Sequence, residues 1–498
     1  MTTFAARVIT QTAHSGIFFV LTLAARLALA VALGRSLTPA EFGVYSLVAG
    51  SVGVATLVLQ LGAQHYVVRE VSGRPVDTAV AVFKSVFVVE YAIVLAAAAA
   101  GVFVLGLAWI GPPDVAATGV QGLIVIATLV VAVSVAQDVA RYLSARAEIE
   151  RYNIVTFLEG GAWPLLVTAL YLGGTEASLT IVLASWILGA IVACVYGFAG
   201  IGLRRFVEAP VDARLYPVAI RFGVPLLGTW LASLILAWSD RYFIAGFHST
   251  TVLGVYSYHY NLVSMIVAVA GPLAGAALNP HIVAAYNSGD EARSERLLAT
   301  VLRYRLMIVV PLVLVTVTWS DEIVTTLARR AYASAGWLMV WLAPIPVLHS
   351  LAVTFERVLY VERRTVAIGA CYMGSAVTAL ALNAVLIPFH PFYGAALATD
   401  LAMALLVVVL WRQARGSRLR VRAPAAPIAV ASVAAIGAGA VVRYLLPGDA
   451  GAGALPLGVA SVLLVFGAAC LAVGLIPAAE RQAFAQFLGR VWHWRPAQ

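Results

Sequence analysis

Gly34–Val48 reads GRSLTPAEFGVYSLV, and Gly246–Tyr260 reads GFHSTTVLGVYSYHY. Each stretch leaves one long apolar segment through a short turn and enters the next, and Gly43-Val44-Tyr45-Ser46 recurs as Gly254-Val255-Tyr256-Ser257, displaced by 211 residues. One apolar segment later, Arg69–Asp77 (REVSGRPVD) matches Ala284–Ala292 (AAYNSGDEA), with Gly73 and Gly289 displaced by 216. Two matches at nearly one offset, each at the same place in its half, mark a duplication at domain scale. Six apolar segments separate the copies, and an even number preserves direction through a membrane. The halves are therefore parallel repeats about an axis along the membrane normal, an arrangement that builds two-lobed transporters around a central cavity.

Composition demands the membrane. Hydrophobic residues make up 62% of the 498 residues and charged residues 11%, at a mean hydropathy of +0.95. A soluble core cannot absorb so apolar a chain, whereas a bilayer accepts helices of about 20 residues that pair their own backbone. Apolar runs predict fourteen crossings. Six span residues 11–34, 44–61, 79–107, 120–140, 155–172 and 179–203, and six more span 222–247, 253–278, 301–320, 333–360, 366–387 and 394–411. A last pair, 428–446 and 457–476, falls outside the duplication. The expected fold is an all-α polytopic membrane protein: a lobe over residues 1–210, a second over 211–422, and an appended helix hairpin with its tail over 423–498.

The basic residues check this count. Of 32 Lys and Arg, 26 fall in gaps or at crossing ends on one face, four (Arg35, Arg329, Arg330 and Arg443) on the other, and two (Arg26 and Arg241) well inside crossings. Adding or losing one helix midway would scramble that separation, and the positive-inside rule places the basic face and both termini in the cytoplasm. The rule also accounts for the net charge of +9 without a nucleic acid partner. Cys194, Cys371 and Cys470 lie in apolar stretches and suggest no disulfide framework. Glycine-rich phosphate loops, metal-ligand clusters and nucleophile–base pairs are absent from the sequence. A transporter that is not an enzyme and needs no cofactor or metal is expected.

Three blocks resemble the polysaccharide repeat-unit flippases, the O-antigen and exopolysaccharide transporters of the multidrug/oligosaccharidyl-lipid/polysaccharide exporter superfamily. They are LGRSLTPAEFGVYSL (Leu33–Leu47) with LQLGAQHYVVRE (Leu59–Glu70), SDRYFIAGFHSTTVLGVYS (Ser239–Ser257), and LNAVLIPFHPFYGAALAT (Leu382–Thr399). The resemblance spans nearly the whole chain. It implies alternating-access movement of an undecaprenyl-diphosphate-linked oligosaccharide from the cytoplasmic to the outer leaflet of a bacterial inner membrane. Surrounding lipids, a polysaccharide polymerase and a coupling H+ or Na+ are the partners it implies. A cation-coupled multidrug exporter and a peptidoglycan-precursor flippase of the same superfamily are the alternatives. Twelve helices are usual in the first and extra arginines at the start of the first helix in the second, where this chain has Arg26 alone.

A charge at the centre of a membrane helix costs about 2.5–3.5 kcal/mol, so each needs a reason. The candidates are Arg26, Glu90, Glu159, Asp240, Arg241, His349 and Asp400. Arg26 offers a planar fork of donors to a lipid diphosphate, or else pairs with Glu90 or Glu159. Asp240 and Arg241 are candidates for substrate or cation binding, and their 100° separation on a helix argues against a simple mutual pair. Crossings 1 and 7 are expected to face each other across the cavity. Glu90, Glu159, His349 and Asp400 are candidates for proton coupling or cavity lining. Pro225, Pro272, Pro311, Pro344 and Pro346 are positions where a crossing can bend.

Overall fold

The computed structural model describes residues 2–108, 113–275, 278–421, 423–445, 451–478 and 480–482. Arg422, Arg490 and Arg495 lie outside the described residues, as do the side chains of Arg7 and Pro272. Every described element is helical. In the first half these are α1 (Thr2–Ser36), α2 (Pro39–Gln60), α3 (Ala63–Val71), α4 (Val76–Ala108), α5 (Pro113–Ala145), α6 (Ile149–Phe157), α7 (Trp163–Leu172), α8 (Leu179–Ile201) and α9 (Leu203–Glu208). The second half has α10 (Leu215–Phe247), α11 (Thr250–Gly275), α12 (Asn279–Asn287), α13 (Glu291–Thr318), α14 (Ser320–Leu327), α15 (Arg330–Ala333), α16 (Leu338–Leu342), α17 (Pro344–Val361), α18 (Thr365–Leu386) and α19 (Pro391–Arg415). A hairpin of α20 (Ala425–Leu445) and α21 (Gly451–Ala472) ends the order.

Among the described residues 13 helices are long and apolar enough to cross a membrane, or 14 with α10 counted as one bent span. The α10 axis turns by 54° between Val224 and Leu227. The sequence places Pro225 in that break, and its side chain also lies outside the described residues. Large apolar side chains such as Leu188, Ile191, Val195, Val433 and Leu464 are exposed, a surface suited to lipid.

The duplication is visible residue by residue. Helix α3 at 63–71 reappears as α12 at 279–287, at the offset of Gly73 and Gly289. Both glycines take left-handed backbone, with φ of 74° and 81°, a conformation glycine adopts without a Cβ penalty. The same offset relates Ala147 (φ 59°) to Arg363 (φ 60°), two non-glycine residues in that region. Around them Leu143 O accepts from Glu148 N at 3.0 Å, and Leu359 O accepts from Arg364 N at 2.9 Å. The Gly-Val-Tyr-Ser copies also touch. A Cβ on Gly43 would strike Thr250 O, and one on Gly254 would strike Pro39 O. Thr250 and Gly254 are Pro39 and Gly43 displaced by 211, so the contact is two-fold related, each copy meeting the other's equivalent residue.

Two compact units emerge from packing. The first comprises Met1–Tyr258, Leu327–Ala331 and Tyr372–Ala395. Its core joins α3, α4, α5, α8 and α10 around Phe83, Tyr142 and Val155. The second comprises His259–Thr326, Tyr332–Cys371 and Ala396–Gln498, with a core where α20 and α21 lie on α13. Small residues Ala431, Ala435 and Gly439 sit in that seam, allowing the close helix approach that membrane packing requires. The hairpin is tied at both ends. Arg303 Nη2 donates to Glu480 Oε1 at 2.6 Å, and Arg443 Nη1 donates to Thr318 O at 2.8 Å.

Polar contacts between distant loops respect the two faces read from the basic residues. Arg146 donates to Arg74 O, Lys84 to Val207 O, Arg151 to Gly200 O and Arg364 to Gln413 O on one face. On the other, Arg329 donates to Arg35 O and His248 to Ile387 O.

Candidate functional site

Arg26 sits on α1 against an irregularity in crossing 5. Between α6 and α7 the chain takes a π-helical turn over Leu158–Ala162, carrying Glu159, Gly160 and Gly161, the kind of bulge frequent at functional sites. Arg26 Nε donates to Gly160 O at 3.3 Å. With no side chain at Gly160, the guanidinium lies directly over the turn: a Cβ there would be 3.2 Å from Arg26 Nη2. Glu159 is near enough for the Arg26 charge to act on it, and the Gln137 side chain lies close to it. No ion pair within 4.0 Å joins Arg26 to Glu159 or Glu90 among the described residues. Four of the five guanidinium N–H groups therefore remain open on an exposed side chain. Tyr45 of the Gly-Val-Tyr-Ser motif also feels the Arg26 charge.

Asp240 and Arg241 on α10 present the opposite picture. Both are 1% exposed. Arg241 folds back along its helix, Nη1 donating to Ala237 O at 2.8 Å and to Asp240 Oδ1 at 3.2 Å, and it lies 4.3 Å over the Trp238 ring. Asp240 Oδ2 accepts from Tyr256 Oη at 2.6 Å, and Oδ1 from the Arg241 backbone N–H at 2.8 Å. The expectation from their 100° separation is corrected: the arginine stem is long enough to bend across the angle, and the two are paired. Helix α1 runs along α6 and α7, whereas α10 runs along α2, α3 and α4, so Arg26 and the Asp240–Arg241 pair occupy separate contacts.

Glu90 on α4 belongs to a third group, with a residue that sequence reasoning missed. Asp138 of α5 is buried and accepts from Gln60 Nε2 at 3.1 Å, Arg141 Nη1 at 3.4 Å and Tyr91 Oη at 2.7 Å. It lies close to the end of its crossing, where a carboxylate reads as an interface residue. The overlooked signal is that Gln60, Asp138 and Arg141 are polar positions near the same face of adjoining crossings.

In the second unit His349 on α17 is half-buried, near the buried Arg305 of α13. Asp400 on α19 has its Oδ1 buried without a partner among the described residues. The two are not brought together by any described contact. The Asn of the third motif block reaches α10, and its Gly packs against the turn before its own helix. Asn383 Nδ2 donates to Ser239 Oγ at 3.0 Å, and Gly394 leaves no room for a Cβ beside Leu386 O.

Residues 16–285, more than half of the chain, match the model of a family described as "Polysaccharide biosynthesis protein". The chain belongs to this family. No curated protein matches the sequence. Among solved structures, the lipid II flippase MurJ in an inward closed conformation superposes with a TM-score of 0.71 at 12% identity, covering 92% of this chain and 98% of that one. An outward-facing multidrug resistance MATE family transporter of the MOP superfamily gives a TM-score of 0.56 at 12% identity, covering 82% and 94%. A MOP superfamily transporter from Pyrococcus furiosus gives 0.53 at 12% identity, covering 82% and 96%. This member of the polysaccharide biosynthesis family therefore carries the MOP fold.

Proposed function

We propose that this chain is a flippase that moves undecaprenyl-diphosphate-linked oligosaccharide repeat units from the cytoplasmic to the outer leaflet of a bacterial inner membrane, by alternating access, for surface polysaccharide synthesis. The observation that carries this reading is the open guanidinium of Arg26 in a membrane-crossing helix of a polysaccharide biosynthesis family member. An arginine keeps its charge when partly desolvated, and its free donors match the paired oxygens of a diphosphate. Glu159 beside it balances the site when no substrate is bound and can accept from sugar hydroxyls. Asp240 and Arg241, already paired, hold crossing 7 to crossing 8 instead of meeting substrate.

The proposed lobes are residues 1–210 and 211–422, with 423–498 an appended hairpin and tail. Both termini and the basic face are cytoplasmic. Surrounding lipids, a polysaccharide polymerase receiving the flipped unit, and H+ or Na+ as coupling ion are the proposed partners. Glu90, Glu159, His349 and Asp400 are the groups proposed to take up that ion or line its path.

Cells lacking this protein are expected to accumulate an undecaprenyl-diphosphate oligosaccharide on the inner leaflet and to lose a surface polysaccharide. Lipid extraction with an impermeant glycan label measures both. Cells that keep the polysaccharide and become sensitive to cationic dyes would replace this reading with a multidrug exporter.

A further inference from the structure

Glu90 is 2% exposed and Gln64 4% exposed, and Glu90 Oε1 and Gln64 Oε1 both lack a hydrogen-bond partner among the described residues. With Asp138 and Arg141 they line a small cavity whose walls also include Phe83 and Phe87. About 10 Å³ is open within it, room for a single water-sized particle. A buried acceptor without a donor costs about 1–3 kcal/mol, and more when charged, so two such oxygens at one cavity call for something that supplies positive charge or a proton.

The charges around the cavity define what that is. Asp138 already receives Gln60, Arg141 and Tyr91, three donors suited to an ionised carboxylate. Arg141 is the one cation against two carboxylates. On α3, burial first and then the Arg141 charge hold the His65 imidazole below its ordinary value, so it adds no positive charge at neutral pH. The remaining titratable groups around the pair are Tyr91 on α4 and Tyr216 on α10, with Cys194 on α8 beside Tyr91 and Glu159 of the π-helical turn within reach of the Arg141 charge, and none is cationic. One carboxyl is left without a counter-charge. A divalent ion would overcompensate it, and an anion would be repelled.

We propose that Glu90, Gln64 and Asp138 form a site for one monovalent cation, a proton or a sodium ion, inside the helix bundle of the first unit and distinct from the Arg26 site. That its occupancy drives transport rests on the flippase reading; the site itself does not.

The test uses the purified full chain in detergent, without substrate, so that its failure leaves the flippase reading standing. Thermal unfolding is followed while NaCl replaces choline chloride at constant ionic strength, and separately between about pH 5 and about pH 8. Sodium occupancy is expected to raise the unfolding temperature by about 2 °C or more in wild type, with Glu90→Gln unresponsive. Proton occupancy is expected to give no sodium response, a wild-type unfolding temperature that falls as pH rises and the folded state loses its proton, and a flattened profile in Glu90→Gln. Either pattern supports the site. Identical sodium and pH responses in the two proteins would overturn it. If the variant does not accumulate, wild type alone decides by infrared spectroscopy: the proposal requires either a buried carboxylic acid band lost at high pH or a carboxylate band that shifts with Na+, and a spectrum with neither would overturn it.

Discussion

Crossings 1 and 7 occupy equivalent places in the duplicated halves, and each carries an arginine near a tyrosine of the Gly-Val-Tyr-Ser motif. Tyr45 and Tyr256 are themselves equivalent, 211 residues apart. In the second half the charge is paired: Asp240 accepts from both Arg241 and Tyr256, and all three are sealed from solvent. In the first half Arg26 makes one long bond to a carbonyl, stands exposed, and has Glu159 nearby without a direct pair. Equivalent crossings, with the two arginines about one helical turn out of register, thus hold a fastened charge in one copy and an available one in the other. An intramembrane charge signals importance in both, and only its hydrogen-bond inventory separates anchoring from binding.

The largest expected effect comes from breaking the fastened side. Asp240→Ala leaves Arg241 buried without its carboxylate, and removing one partner of a buried pair costs about 3–5 kcal/mol. Membrane abundance should collapse, read by immunoblot, with activity lost in proportion. Normal abundance with lost activity would move Asp240 from anchor to substrate site and dissolve the contrast.

Arg26→Ala is the complementary test. It removes no bond stronger than the 3.3 Å contact to Gly160 O, so abundance should stay within about twofold of wild type. Charge-assisted bonds to a diphosphate at about 1.5–3 kcal/mol each imply a loss of transport of tenfold or more. Arg26→Lys keeps the charge without the planar fork and should retain part of the activity. A fall in abundance matching that of Asp240→Ala would make Arg26 structural too.

Between these lies the junction of the two motif copies. Ala at Gly43 or at Gly254 would press against the partner copy's backbone, and overpacking of this kind costs about 1–3 kcal/mol. Because the contact is two-fold related, the two variants should lower the unfolding temperature comparably. A large effect at one and none at the other would mean the copies do not meet symmetrically.

The fold was legible because membrane insertion writes itself into the sequence as apolar length and basic bias, and the repeat survives where backbone geometry constrains it. Gly73 and Gly289 keep their identity because the left-handed turn needs it. The pair Ala147 and Arg363 shares the same backbone with unrelated side chains, so no sequence match could reveal it. The site was legible only as a set of charges. Whether a charge is open depends on how a side chain folds, and the bend of Arg241 back onto Asp240 overrides the helical-wheel angle. Asp138 escaped notice because position near a span end says nothing of burial, which α2, α3 and α4 impose from outside its own helix.

The finest comparison is between the two tyrosines. Tyr256→Phe removes a 2.6 Å bond to a buried carboxylate, so Asp240 Oδ2 loses a charge-assisted donor and no water can replace it. The expected loss is about 1.5–3 kcal/mol of stability, visible as a lowered unfolding temperature with transport per folded molecule unchanged. Tyr45→Phe deletes a hydroxyl that lies in the Arg26 field beside an exposed site. Its unfolding temperature should match wild type, while transport changes by no more than a few fold as the polarity around Arg26 falls. If the two variants behave alike, in stability or in transport, the motif has one role in both halves, and the division between a fastened and an available arginine fails.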